Sequence, residues 1–145
     1  MARAEVTVAI NRPIADVFAR LIDIDRGTEW QAELVEAKQT SSGPFGVGTT
    51  IQEVRRFMGR PIESAFKVTE FEPGQKMSFE CTSGPIPMRA YYTLEPIDGG
   101  TSLNLAIEAE LTGVLKMTEP LVVNTARKQI TADLAKLKEL LEANS

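Results

Sequence analysis

Residues 119–142 read EPLVVNTARKQITADLAKLKELLE, and this stretch decides the fold. Pro120 favours the first turn of a helix, where its missing N–H would have no helical partner anyway. Apolar residues follow at steps of three and four, the spacing of one helical face; they are Val123, Ala126, Ile130, Leu134, Leu137 and Leu141. At 1.5 Å per residue such a helix is roughly 34 Å long, enough to lie across a whole sheet. The apolar face of this helix must be buried against another element, and a sheet of that size would bury it.

The chain before this helix has the pattern of short β-strands separated by turns. Strands are expected near residues 5–10, 33–40, 49–57, 61–71, 76–82, 88–95 and 101–111. Because the connections between the last six are short, neighbouring strands should pair antiparallel, since a parallel pair needs a long crossover. The last three strands alternate apolar with polar residues, so one face of the sheet is expected to be apolar and to cover the long helix.

Two short helices are expected between the first and second strands. Pro13 opens the first one, and apolar residues at helical spacing follow it. Asp23 or Asp25 can cap the second, which Gly27 interrupts and which leads to Trp30. Together with the sheet and the long helix, these elements predict an α+β protein.

Composition excludes several classes of function. The chain has 145 residues, which suits one domain over 1–145, and a formal charge of −4 argues against a nucleic-acid partner. Its one cysteine, Cys81, excludes an intramolecular disulfide, and the lack of histidine removes the commonest metal ligand and general base. Neither a metal nor a cofactor is expected. No targeting signal or bilayer-length apolar run is present, so a cytoplasmic location without membrane insertion is expected.

Eight pieces of the sequence, in order, carry a resemblance to a known family. They are INRPIADVF at 10–18, DRGTEW at 25–30, VGTT at 47–50, GRPIE at 59–63, VTEFEPG at 68–74, YTLEP at 92–96, GGT at 99–101 and LAKLK at 134–138. The chain resembles the polyketide cyclase/dehydrase family of the START-like (SRPBCC) superfamily over essentially its whole length. The resemblance implies the helix-grip fold, in which a curved antiparallel sheet of about seven strands wraps a long C-terminal helix. It also implies a deep, largely apolar cavity between sheet and helix.

The cavity implied by the resemblance would bind an apolar small molecule, such as a lipid, a polyketide or another polycyclic or aromatic compound. The side chains expected to contact it are Trp30, Phe66, Met77, Phe79, Cys81, Met88, Tyr92, Leu121 and Asn124. Methionines suit such a surface because they repack around different ligands. For any one of these residues, ordinary core packing is the competing interpretation.

Two other functions remain open at this point. A polyketide cyclase or dehydratase would need a base beside a carbonyl and a donor for the oxyanion. Tyr92 and Asn124 are candidate donors and Glu63 a candidate base, although alternation with Ile62 and Ser64 places Glu63 towards water. No complete catalytic set can be assembled from these residues. The second alternative is an interaction protein in which the cavity is vestigial.

Two further groups of residues have more than one interpretation. Arg55, Arg56 and Arg60 surround one hairpin, and a solvated, salt-bridged hairpin is favoured there over a phosphate site. Leu121 and Val122, with Met117, lie outside the apolar stripe of the long helix. They are expected to form a cover over the cavity mouth or a patch that pairs with a second copy. The chain is therefore expected to be a monomer or a homodimer.

Overall fold

A seven-stranded antiparallel sheet dominates the computed structural model, which describes residues 1–143. The strands are β1 Ala2–Ile10, β2 Leu34–Gln39, β3 Thr50–Phe57, β4 Arg60–Glu72, β5 Lys76–Ser83, β6 Met88–Ile97 and β7 Gly100–Ala109. The helices are α1 Ile14–Leu21, a 3₁₀ helix Ile24–Glu29, α2 Gly113–Met117 and α3 Glu119–Ala143. This is the helix-grip arrangement that the family resemblance implies.

The sheet order is β1-β7-β6-β5-β4-β3-β2, so the two strands at its edges are the first two in sequence. The chain crosses from one edge to the other through α1 and the 3₁₀ helix, which therefore lie across the sheet's open side. Strand β4 contains register shifts at Ala65/Phe66 and at Val68/Glu70. Irregularities of this kind bend a strand and increase its twist, which helps the sheet to curl around α3.

Two turns depend on unusual backbone geometry. Met58 and Gly59 join β3 to β4 with positive φ angles of 53° and 83°, the signature of a tight type I′ hairpin turn. At the start of β7, a Cβ on Gly100 would lie 2.0 Å from the backbone oxygen of Ile10. Only glycine permits this close approach between β7 and the end of β1.

The short helix α2 was not predicted from the sequence, which placed the end of the last strand at Leu111. The strand ends at Ala109, and α2 begins at Gly113, which has a φ angle of 58°. The hydroxyl of Thr118 donates to the backbone oxygen of Val114 at 2.9 Å and so satisfies a carbonyl of α2. The chain then turns at Thr118 into α3.

The second half of α3 fills the core of the protein. Leu134 and Leu137 are 1% and 0% exposed, and they belong to one apolar cluster with Ile10 and Leu103. The end of the helix is tied to β1, because Lys138 Nζ donates to the backbone oxygen of Ala9 at 2.7 Å. The apolar stripe predicted for this helix therefore faces the sheet.

Val122 corrects one prediction about the first half of α3. The sequence placed Val122 outside the apolar stripe, but it is buried in a second cluster with Ala2 and Leu111. Helix α2 causes this, since its Leu115 packs against the same cluster and brings the chain over the end of the sheet. Met117 and Leu121 are 84% and 58% exposed. Whether these two side chains cover the mouth or pair with a second copy stays a prediction.

Leu134→Ala is expected to lower the free energy of unfolding by about 2–5 kcal/mol, because it opens a void in a closely packed core. Asn124→Ala is the matched control on the same helix, where the side chain is exposed, and should change stability by less than about 0.5 kcal/mol. Chemical denaturation measures both. Equal losses for the two variants would contradict the packing described for α3.

Candidate functional site

A cavity of about 500 Å³ lies between the concave face of the sheet and the first half of α3. The sheet lines it with alternate residues, among them Ile51, Glu53, Arg55, Phe57, Ile62, Ser64, Phe66, Met77, Phe79, Met88, Ala90, Tyr92, Leu105 and Ile107. From α3 it is lined by Val122, Thr125, Ala126, Gln129, Ile130 and Asp133. The cavity ends along the helix where the buried leucines begin, at Leu134.

Most of the wall is apolar and aromatic. Phe79 lies between two other rings, with its centroid 5.8 Å from that of Tyr92 and 6.2 Å from that of Phe45, both near edge-on. Trp30, which follows the 3₁₀ helix, lines the cavity and is 4% exposed. Edge-on ring contacts of this kind are favourable beyond the area they bury. They hold the wall in a defined shape.

One side of the cavity is polar, because Glu53 and Arg55 on β3 face inward. Arg55 Nε donates to Glu53 Oε2 at 2.9 Å, and its Nη2 donates to Gln31 Oε1 at 2.6 Å. Burial by itself would lower the pKa of the Arg55 guanidinium, but Glu53, with smaller effects of Tyr92 and Asp133, raises it. Arg55 is therefore held as a cation inside the cavity.

This pair corrects the expectation of a solvated arginine hairpin. Arg56 does fit that expectation, since its side chain is 50% exposed and pairs with Glu33 at 3.3 Å. Arg55 is salt-bridged as expected, to Glu53, but its side chain is only 33% exposed and also bonds Gln31. Both arginines line the cavity, and Arg55 is the less solvated of the two.

Asp133 contributes a second carboxylate to this polar side from α3. It is 7% exposed, and its Oδ1 accepts hydrogen bonds from the Ala32 backbone N–H at 3.1 Å and from Gln129 Nε2 at 2.9 Å. Burial raises the pKa of the Asp133 carboxyl above its ordinary value. These two hydrogen bonds and the charge of Arg55 oppose that rise only in part.

Tyr92 places a phenol beside these charges. Burial raises the pKa of Tyr92 to about 12, and Arg55 opposes this rise. The hydroxyl therefore stays protonated at neutral pH and can donate a hydrogen bond. Tyr92 lines the cavity, so its donor can reach a molecule bound there.

The opening of the cavity lies at the β3–β4 hairpin. Met58 and Gly59 line the cavity, yet Met58 is 64% exposed, so the two residues form part of its rim. Ile86, before β6, and Leu111, after β7, line the same end. Phe57 and Ile86 pack against the small apolar cluster of Leu111, which brings these segments together at the rim.

Six of the side chains predicted to contact a ligand line the cavity. They are Trp30, Phe66, Met77, Phe79, Met88 and Tyr92. Leu121 and Asn124 are exposed and lie outside the lining. Asn124 is two residues from Val122, which is about 200° around a helix, and therefore points away from the cavity.

Two more candidates also lie outside the lining. Cys81 is half-buried, and its thiol donates to the backbone oxygen of Ser83 at 3.4 Å. It comes after Glu80, the last β5 residue paired with β6, and so lies beyond the cavity wall. Glu63 is exposed on the outer face of β4, as the alternation of that strand predicts.

The charged residues of the cavity were not predicted as site residues from the sequence, although a signal for them exists. Glu53 and Arg55 share the parity of Ile51 and Phe57 in β3, which places all four on one face of the strand. Asp133 lies three residues after Ile130 and directly before Leu134, within the apolar face of the helix. A charged residue at such a position is a candidate for a functional role.

Residues 1–143 contain neither a cluster of metal ligands nor a membrane-spanning helix. No group of three or more His, Cys, Asp or Glu side chains could hold a metal ion there. Nor does that part of the chain contain a helix long and apolar enough to cross a membrane.

Comparison with solved structures identifies the class of fold. A protein from Thermus thermophilus superposes with a TM-score of 0.86 at 18% identity, covering 99% of both chains. A START superfamily protein from Mycobacterium smegmatis gives a TM-score of 0.83 at 12% identity, covering all of both chains. The Zhui aromatase/cyclase of a Streptomyces species gives 0.78 at 13% identity, covering 97% of this chain and 93% of that one. At these identities the likeness shows the START-like fold.

The sequence itself identifies the family. The profile described as "Polyketide cyclase / dehydrase and lipid transport" matches residues 1–142. The chain therefore belongs to that family. A comparison with curated proteins finds no significant match.

The charge on buried Asp133 should make stability depend on pH in a defined direction. Because its pKa is raised in the folded state, the folded protein binds that proton more tightly than the unfolded chain does. The contribution of Asp133 to the free energy of unfolding is then largest at acid pH and is lost as pH rises through the folded pKa.

Asp133→Asn should therefore gain stability relative to the wild type near neutral pH, and this gain should shrink towards about pH 4. Asparagine keeps the oxygen that accepts from Ala32 and Gln129, so the fold is preserved. Thermal unfolding of both proteins across this pH range measures the difference. A gain that grows as the pH falls would contradict the assignment.

Proposed function

We propose that the protein binds a small, mainly apolar molecule that carries one polar group. The observation that carries the proposal is a cavity of about 500 Å³ with an aromatic wall and one polar side formed by Arg55, Tyr92 and Asp133. Ligand sites in proteins typically have this composition, mostly apolar with a few polar groups that fix orientation. The family description, which includes lipid transport, supports the same function.

The size of the cavity argues against a vestigial one. A void of about 150 Å³ in another protein holds a benzene molecule, and ligand sites typically measure about 300–1,000 Å³. A cavity of about 500 Å³ accommodates a molecule of two or three fused rings. An interaction protein would have no need to keep this volume open, since filling it with larger side chains would increase stability.

Naphthylmethanol is expected to bind, to raise the melting temperature and to change the fluorescence of Trp30, the single tryptophan of the chain. Ala90→Phe should weaken this binding at least about tenfold, because Ala90 lines the cavity opposite Phe79. Ala9→Phe is the matched control, on the exposed face of β1. The proposal fails if a broad set of apolar compounds produces neither a thermal shift nor a fluorescence change, or if both variants bind equally well.

A second candidate function is a cyclase or dehydratase reaction, and one observation favours it. The carboxylate of Asp133 and the hydroxyl of Tyr92 line the same cavity and interact electrostatically. In such a reaction Asp133 would take a proton from the carbon beside a carbonyl, and Tyr92 would donate to the developing oxyanion. In a dehydratase, the hydroxyl group on the next carbon would then leave as water, taking up the proton that Asp133 had removed, so that the carboxylate is regenerated.

Conversion of a phenyl-substituted β-hydroxy ketone to its conjugated ketone, followed by ultraviolet absorbance, tests this second function. Loss of the general base should slow turnover by roughly 10²–10⁴-fold in Asp133→Asn, and Tyr92→Phe should also slow it. If naphthylmethanol binds but no such substrate is converted, the second function is wrong and the binding function stands.

A further inference from the structure

We propose that the cavity selects its ligand by charge, so that it accepts neutral or cationic polar groups and rejects carboxylates. This inference rests on the proposed binding function and names the chemical class of the ligand. It follows from how the charged side chains around the cavity are paired.

Arg55 is a poor anchor for a carboxylate, because Glu53 already balances its positive charge. Besides the bond from Nε to Oε2, Nη2 of Arg55 lies 3.4 Å from Glu53 Oε1, so both carboxylate oxygens face the guanidinium. The Glu53 side chain is 16% exposed and comes from the same strand. A ligand carboxylate beside Arg55 would therefore meet a cation whose charge is already balanced by Glu53, and it would gain little net attraction there.

The other charges that line the cavity are paired as well, with one exception. Arg56 lies 3.3 Å from Glu33, and Asp23 lies 3.5 Å from Arg26. Asp133 has no cation within 4 Å among residues 1–143, and the donors to its Oδ1 are the neutral amides of Ala32 and Gln129. The polar side of the cavity therefore carries one unbalanced negative charge.

This excess charge determines which polar group can be buried beside it. A second carboxylate would repel Asp133 in surroundings of low dielectric, where charges interact several times more strongly than in water. The same burial that raises the pKa of Asp133 would also penalise a carboxylate on the ligand. An ammonium group or a hydroxyl can instead donate to Asp133, and a neutral oxygen can accept from Tyr92.

Three probes with the same ring system and different charges test the selection: naphthylmethanol, naphthylmethylamine and naphthoate. Their dissociation constants at neutral pH are measured by calorimetry and by Trp30 fluorescence. The alcohol and the ammonium should bind, and naphthoate should bind at least about tenfold more weakly than the alcohol.

Variants identify the residue responsible. Asp133→Asn should raise the affinity for naphthoate about tenfold and lower that for the ammonium. Glu53→Gln should also favour naphthoate, because it releases the charge of Arg55. Asp98→Asn removes the same charge from an exposed turn and should leave all three affinities unchanged. Thermal unfolding confirms that each variant is folded.

The outcomes separate this inference from the binding function on which it rests. If none of the three probes binds, and a wider set of apolar compounds also fails, the proposed function itself is wrong. If the alcohol binds and naphthoate binds equally well, the charge selection is wrong while the binding function stands. The selection is also overturned if Asp133→Asn and Asp98→Asn have the same effect on naphthoate.

Discussion

The packing of the second half of α3 against the curled sheet is the interaction on which the rest of the structure depends. Leu134, Leu137 and Leu141 are buried there against the sheet, and Lys138 fixes that end of the helix to β1. Because a helix is stiff, packing its second half against the sheet also fixes the distance between its first half and the sheet. Thr125, Ala126 and Gln129 in that half are too short or too polar to fill the space below them, and a cavity results.

The polar groups in this cavity carry a cost that folding alone does not explain. Taking Glu53, Arg55 and Asp133 away from bulk water is unfavourable, and well-packed apolar residues in such positions are often as stable or more so. Glu53 and Arg55 offset part of the cost for each other, whereas Asp133 is left with hydrogen bonds to neutral donors. The proposed binding function would account for these residues, because a ligand with a matching polar group would complete their interactions.

The fold could be predicted from the sequence because many local signals indicate the same arrangement. The turns, the alternation in β5 to β7 and the stripe of α3 each agree with one arrangement of helix on sheet. The site was harder to predict, since lining the cavity depends on how far along an element a residue lies. Cys81 has the parity of Met77 and Phe79 but lies past the region paired with β6. Asn124 has the polarity expected of a site residue but the wrong helical angle.

A crystal structure of the protein with naphthylmethanol tests the central claim most directly, because it shows where the ligand lies and which end is buried against the charges. The rings are expected to contact Phe66, Met77 and Phe79 below the first half of α3. The hydroxyl is expected to lie within hydrogen-bonding distance of Tyr92 or Asp133. A ligand seated on the exposed side chains of Met117 and Leu121, with the cavity empty, would contradict the proposed binding function.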